Sequence, residues 1–244
     1  MNGQILAVEQ ASRRFAGLVA VDAVSFAMQR GDILSLIGPN GAGKTTLFNL
    51  ISGQLMPSDG TILFRDERID ALPPHARAQR GIGRTFQIAK PLIGLTAREN
   101  AMVGAFMRHP AHDAAYAAAT NVLAEVGLTA RADVPAAELT LSERRRLEVA
   151  RALALEPELI LLDEVMAGLN ATEIGQVIDL IQRLNARGMT FLVIEHNLKV
   201  VRTFSQRVIV LDHGAKIAEG SADEVLSDPQ VVRAYLGKKH GGAA

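Results

Sequence analysis

The stretch Gly38-Pro39-Asn40-Gly41-Ala42-Gly43-Lys44-Thr45-Thr46 constrains this chain more than any other. It fits the pattern Gly, four residues, Gly-Lys-Ser/Thr, a glycine-rich turn set between a strand and a helix. The flanks agree: Ile33 to Ile37 reads as a buried strand, and Thr45 to Ile51 reads as the opening of a helix. Glycine lets the backbone approach an anion closely and adopt conformations that a Cβ forbids. Successive N–H groups and the positive end of the helix then face a phosphate. Lys44 is expected to reach the β- and γ-phosphates of a nucleoside triphosphate, and the Thr45 hydroxyl to ligate Mg²⁺.

Bulk properties narrow the class. Of 244 residues, 48% are apolar, enough for a substantial core in one large domain or two small ones. Acids and bases balance at 26 each, so charge gives no footing to a nucleic-acid partner. Cysteine is absent, which excludes disulfides and thiolate metal sites and fits a reducing compartment. No apolar run approaches the roughly 18 to 20 residues that span a bilayer. Met1-Asn2-Gly3-Gln4 carries neither a basic n-region nor an apolar h-region. A soluble cytoplasmic protein is expected, without direct membrane insertion, any membrane role coming through a partner.

Along the chain, Ile5 to Glu9 and Ala20 to Met28 alternate as strands, with Ser12 to Gly17 a polar segment between them. Thr61 to Arg65 is a further strand, Pro73-Pro74 opens a short helix ending at Gly81, and Gly83 to Gln87 returns as a strand end. Thr96-Ala97-Arg98-Glu99 is a capping box for a helix reaching Met107. Ala111 to Val126 and Thr140 to Leu155 are helical, so residues from about 92 to 155 form an all-helical insertion. Leu159 to Leu162, Met189 to Ile194 and Val208 to Leu211 are buried strands, with Lys216 to Ala218 beside the last. Asn170 and Ser221 cap further helices. Strands alternating with helices imply a mostly parallel sheet with ligands at its C-terminal strand ends.

Asp163-Glu164 and Glu195-His196 fall at such ends. Asp163 is expected to hold Mg²⁺, directly or through water, and Glu164 to polarise an attacking water as general base. His196 is placed to hydrogen-bond the γ-phosphate or that water. His109 and His112 have no third ligand nearby and read as a loop. Arg144-Arg145-Arg146 reads as a charged helix face, not a nucleic-acid patch.

In order and content this set resembles the ATP-binding cassette (ABC) ATPases, over nearly the whole chain. Phe15 lies where that family has an aromatic that stacks on adenine, and Gly38 to Thr46 on its Walker A motif. Gln87 matches the Q-loop glutamine, assigned to the nucleotide and its Mg²⁺. Leu159 to Glu164 is the Walker B motif, Ala167 to Asn170 falls on the D-loop, and His196 on the switch histidine. Arg145-Arg146-Leu147-Glu148, Glu195-His196-Asn197 and Ala234-Tyr235-Leu236-Gly237 resemble the branched-chain amino acid importer subgroup. The resemblance implies an α/β P-loop NTPase (RecA-like) core with a mostly parallel sheet, a small antiparallel β-subdomain and an α-helical subdomain. The cassette would span residues 4–237, its core about 4–91 and 156–237, its helical part about 92–155, and 238–244 a tail. It further implies ATP hydrolysis, a second cassette as homo- or heterodimer partner, and a membrane permease docked in the groove near Gln87. The chain would attach peripherally to the inner face of the cell membrane. A soluble cassette of DNA repair or translation, or a lipopolysaccharide-export cassette, is the alternative. A GTPase is disfavoured because no Asn-Lys-x-Asp occurs.

The usual signature Leu-Ser-Gly-Gly-Gln is absent. Ungapped placement sets Leu139-Thr140-Leu141-Ser142-Glu143 on it. Thr140, Ser142 and Glu143 are therefore the residues expected at the partner's nucleotide, Thr140 keeping a hydroxyl for the γ-phosphate. The same residues spell a capping box, so Glu143 is expected to fold back onto the Thr140 N–H, with Arg144 to Arg146 offsetting its charge. Val165-Met166 stands where Pro-Ala is common in the subgroup, which predicts a local packing change.

Overall fold

The computed structural model describes residues 3–85 and 91–236; Gln87 and the tail lie outside the described residues. In chain order the elements are β1 (Gln4–Phe15), β2 (Leu18–Gln29), β3 (Ile33–Ile37), α1 (Lys44–Ser52), β4 (Asp59–Phe64), β5 (Glu67–Arg68), α2 (Pro74–Arg80) and β6 (Ile82–Arg84). There follow α3 (Ala97–Ala105), α4 (His112–Glu125), α5 (Leu141–Leu153), β7 (Leu159–Asp163), α6 (Ala171–Asn185), β8 (Thr190–Ile194), α7 (Leu198–Phe204), β9 (Arg207–Asp212), β10 (Ala215–Gly220), α8 (Ala222–Ser227) and α9 (Pro229–Leu236). The chain divides into two compact units, Met1–Arg77 with Thr190–Ala244, and Ala78–Met189.

The first unit contains an antiparallel sheet of order β2-β1-β4-β5 and the strands β10-β9-β3-β8. β3 pairs in parallel with β8 on one side and β9 on the other. A strand bonded on both edges exposes no backbone, and its faces are covered too, so all five of its residues are buried. Ile37 continues into a core of Val201, Val208, Val210, Val225 and Val231, onto which Tyr235 of α9 packs. Each such side chain contributes about 1.5–3 kcal/mol through burial.

Ser12 to Phe15 does not lie between the strands, as its polarity suggested, but forms the end of β1. Arg13 pairs with Val21, Arg14 with Val19 and Phe15 with Leu18. Arg14 also bridges to Asp59 at 2.8 Å. Strand pairing between distant segments overrides a locally polar pattern. β1 breaks register after Val8, where Gln10 takes φ 49°. β4 fits that bulge because Gly60 has no Cβ, which would sit 2.3 Å from the Gln10 carbonyl.

The second unit pairs β6 and β7 in parallel, Ile82 beside Leu159 and Arg84 beside Leu161. Its described residues between 92 and 155 are helical or irregular, with an isolated bridge between Thr96 and Pro135. The Thr96 box forms as expected, Glu99 bonding the Thr96 N–H at 2.8 Å. Asn100, fully buried, accepts the Leu92 N–H at 2.8 Å and donates to the Leu92 carbonyl at 3.0 Å, lacing the preceding segment to α3. α3 and α5 approach closely at Gly104, where a Cβ would meet the Arg151 carbonyl at 2.6 Å. His109 pairs with Glu156 at 2.7 Å. Among the described residues no helix is long and apolar enough to cross a membrane.

Candidate nucleotide-binding site

In the first unit, β3 delivers the chain into the glycine loop and α1 takes it away. Gly38, Gly41 and Gly43 have φ 148°, 82° and 99°. Space forbids a side chain at two of them: a Cβ on Gly38 would lie 2.1 Å from the Leu211 carbonyl, and one on Gly43 2.3 Å from the Ala20 carbonyl. The loop is braced by the β9–β10 turn, the Gly214 N–H donating to the Ala42 carbonyl at 3.1 Å and the Asp22 N–H to the Gly214 carbonyl at 2.9 Å. Gly43 caps α1 in the left-handed conformation. The first turn of any helix leaves N–H groups without intrahelical acceptors, so this end suits an anion. Lys44 is buried and donates its ammonium to the Gly38 and Pro39 carbonyls at 2.8 and 2.9 Å.

His196 belongs to the same unit. Parallel pairing sets Leu36 beside Ile194, and Gly38 and His196 follow the C-terminal ends of these neighbouring strands by one and two residues. Its side chain is exposed while Glu195 is buried, and Asn197 caps α7 through its side-chain oxygen. Phe15 is 39% exposed at the end of β1. Ala20, whose carbonyl crowds Gly43, lies on the partner strand of the same hairpin.

One buried polar group in this unit escaped the sequence reading, and a second gained an environment that the sequence does not show. Arg77 is 1% exposed and donates to the carbonyls of Leu50, Ile51 at 2.8 Å, Asp70 at 2.9 Å and Leu72 at 2.9 Å. It closes the C-terminal turn of the helix whose other end carries Lys44. Burial pushes its guanidinium down to about 10, against the pull of Asp70. Nothing in the sequence distinguishes it from the surface arginines of a short helix. On α9, burial pushes the Tyr235 phenol up to about 12, the Gly38 backbone opposing the shift.

In the second unit β7 ends at Asp163, which is 1% exposed. Its N–H donates to the Thr85 hydroxyl at 3.1 Å, and Arg84 approaches its carboxylate at 3.3 Å. Burial pushes the Arg84 guanidinium down, with Asp163 drawing it partly back. Glu164 follows with φ 50°, a left-handed conformation that costs a residue with a Cβ about 1–2 kcal/mol. Backbone strain of this kind is held where the surroundings dictate a side chain's direction. Val165 and Met166 are buried, and the Ala167 N–H closes a turn onto the Glu164 carbonyl at 3.1 Å. Asn170 then caps α6 in a box with Glu173.

The signature-equivalent stretch starts α5. The Thr140 N–H donates to Glu143 at 2.8 Å and the Glu143 N–H to the Thr140 hydroxyl at 3.2 Å, the box that was expected. The charge partner differs from expectation: Arg131, at 3.0 Å, pairs with Glu143. Arg144 instead donates to the Ala137 carbonyl, and Arg146 to the Val126 and Gly127 carbonyls. Desolvation raises the Glu143 carboxyl, but the Thr140 N–H and Arg131 outweigh it and hold it below its ordinary value. Ser142 is buried, Leu141 is exposed, and Leu141 Cδ2 would lie 3.1 Å from a Cβ on Gly168.

A glycine cradle after a buried parallel strand, at the head of a helix with a buried lysine, defines a P-loop nucleotide-binding protein. Comparison with known proteins goes further. Residues 21–167 match the family described as ABC transporter, and residues 215–241 match one described as branched-chain amino acid ATP-binding cassette transporter. The chain belongs to the ABC transporter family and is an ABC ATPase. It is 38% identical to the high-affinity branched-chain amino acid transport ATP-binding protein LivG of Salmonella typhimurium, covering 98% of this chain and 100% of that one. It is 37% identical to BraF of Pseudomonas aeruginosa, with the same coverage of 98% and 100%. The crystal structure of the ADP conformation of MJ1267, an ATP-binding cassette of an ABC transporter, superposes with a TM-score of 0.88 at 33% identity, covering 96% of this chain and 99% of that one.

Proposed function

We propose that this chain is the ATP-hydrolysing subunit of a membrane importer for branched-chain amino acids or related small polar solutes, held peripherally at the inner face of the membrane. The observation that carries the reading is the cradle at Gly38 and Gly43, where no side chain fits, at the head of a helix whose positive end suits an anion. The likeness to LivG and BraF supports the solute class.

In this reading Lys44 turns its ammonium from the Gly38 and Pro39 carbonyls to the β- and γ-phosphates. Phe15 stacks on adenine. The Thr45 hydroxyl and the Asp163 carboxylate are hard oxygen donors of the kind Mg²⁺ takes, and Gln87 is the further candidate ligand. The ion, when bound, neutralises phosphate charge. Glu164 takes the proton of the water that attacks the γ-phosphorus, giving ADP and phosphate. His196 hydrogen-bonds the γ-phosphate. The Thr140 hydroxyl accepts the Glu143 N–H and keeps its own proton to donate to a nucleotide held by a second cassette. Glu143, engaged with Thr140 and Arg131, then serves the helix start more than the phosphate. Val103, Phe106 and Met107 expose apolar surface at the end of α3, a face suited to a permease helix.

Two variants test this. Lys44→Ala is expected to lose ATP binding. Glu164→Gln is expected to bind ATP while hydrolysis falls about 10²- to 10⁴-fold. A Glu164→Gln protein with near-normal turnover removes the base assignment.

A further inference from the structure

The tip of the β1–β2 hairpin carries an arrangement that phosphate binding does not require. Phe15 pairs with Leu18 across the tip, its ring partly exposed. Arg13, two residues earlier on β1, lays its guanidinium over that ring, Cζ 4.6 Å from the centroid. The same guanidinium donates from Nη1 to the Met56 carbonyl at 2.9 Å, which pins it between the ring and the segment before β4. On the opposite strand Ala20 flanks the phosphate loop and Val19 the β9–β10 turn that braces it. A Cβ on Gly43 would meet the Ala20 carbonyl at 2.3 Å, and one on Gly214 the Val19 carbonyl at 3.4 Å. The hairpin that bears Phe15 therefore runs against the loop that bears Lys44.

We propose that Arg13 is a positioning residue for the purine base: it covers one face of Phe15, fixes the ring, and leaves the other face as the platform on which the base stacks. The inference rests on the reading of Phe15 as the adenine-stacking aromatic. Its physics is that of a cation against the negative face of an aromatic ring. A cation seated on one face also occupies the position into which the ring would otherwise rotate. A base arriving on the other face then meets a ring already held flat to it, and loses less side-chain freedom on binding. The contribution is confined to the base. A ligand with the same phosphates and no base gains nothing from it.

Calorimetric titration of the full chain with ATP, and with inorganic triphosphate as the base-free probe, tests the proposal. Phe15→Ala is expected to weaken ATP about 10-fold. Arg13→Met is expected to weaken ATP about 2- to 5-fold. Neither is expected to change triphosphate affinity. Arg13→Gln, which keeps a donor for the Met56 carbonyl but no cation, should match Arg13→Met, and Arg13→Lys should recover part of the loss. Adding Arg13→Met to Phe15→Ala should cost nothing more. Equal losses for ATP and triphosphate would mean that the arginine serves the phosphates, and would overturn the proposal. So would additive losses in the double variant, or an Arg13→Met protein of unchanged ATP affinity beside a weakened Phe15→Ala. If Phe15→Ala itself binds ATP normally, the platform reading falls together with the role of Arg13.

Discussion

Replacing Arg77 by alanine should destabilise the first unit far more than a surface arginine does. The side chain is fully buried and its guanidinium reaches the Leu50, Ile51, Asp70 and Leu72 carbonyls. Two of these acceptors belong to the last turn of α1, where helix geometry offers no N–H and a cation opposes the negative end of the dipole. Hydrogen bonds to a charged group are worth about 1.5–3 kcal/mol each. The desolvation of the guanidinium, visible in its lowered pKa, offsets part of that sum. Truncation leaves several carbonyls unsatisfied in a space so tight that a Cβ on Gly53 would lie 2.8 Å from the Leu72 carbonyl. A loss of about 3–5 kcal/mol follows, the range for breaking a buried charged network. At about 2–4 °C per kcal/mol for a chain of this size, the midpoint of thermal unfolding should fall by about 6–20 °C. Arg77→Lys should recover less than half, because an ammonium lacks the planar fork. Urea titration of the nucleotide-free protein measures the effect, and a loss below about 1 kcal/mol for Arg77→Ala would refute the assignment of α1 closure to this residue.

Gly43→Ala should abolish ATP binding while leaving a folded protein, because the new Cβ displaces the loop from Ala20; circular dichroism with a fluorescent ATP analogue checks both halves. Gly41→Ala meets no atom within 4 Å and is opposed only by its φ of 82°, so it should bind ATP more weakly than wild type but better than Gly43→Ala. The Glu143 carboxyl is held below its ordinary value of 4.5, so its contribution to stability is fully present above that pH and is lost as pH falls through the lowered folded value. Glu143→Gln should therefore be less stable than wild type at pH 7, and the gap should close in urea titrations taken progressively below pH 4.5. Arg131→Met should raise the pH at which the Glu143 contribution is lost, without the full effect of Glu143→Gln, since the Thr140 N–H remains.

Local signals were legible. The run Ile33 to Ile37 reads as a buried strand and is one, and the glycine spacing after it matches the phosphate-loop pattern at the head of a helix, which is where α1 begins. Helix starts at Thr96, Thr140, Asn170 and Ser221 were readable because a capping box is closed by side chains three residues apart. Non-local determinants were not readable. Ser12 to Phe15 reads as a polar segment between strands until β2 and Asp59 pair with it. α7 and α9 are short, and packing on Val201, Val208 and Val231 fixes them more than any periodic pattern. Arg77, Arg84 and Arg131 resemble solvent-facing arginines in sequence, yet each is defined by a partner brought near by the fold. The arginine run Arg144 to Arg146 misled for the same reason: Arg144 and Arg145 are one and two residues from Glu143 and do not face it on a helix, and Arg146, three residues on, is drawn instead to the Val126 and Gly127 carbonyls.

The central claim is that this chain couples ATP hydrolysis to the import of a branched-chain solute. The direct measurement is phosphate release by the chain assembled with its permease and cognate binding protein in vesicles, with and without leucine, isoleucine or valine. Hydrolysis raised by the loaded binding protein, absent in Glu164→Gln, and accompanied by uptake of the labelled solute is the predicted result. Hydrolysis indifferent to solute and binding protein, or uptake that persists in Glu164→Gln, would contradict the account.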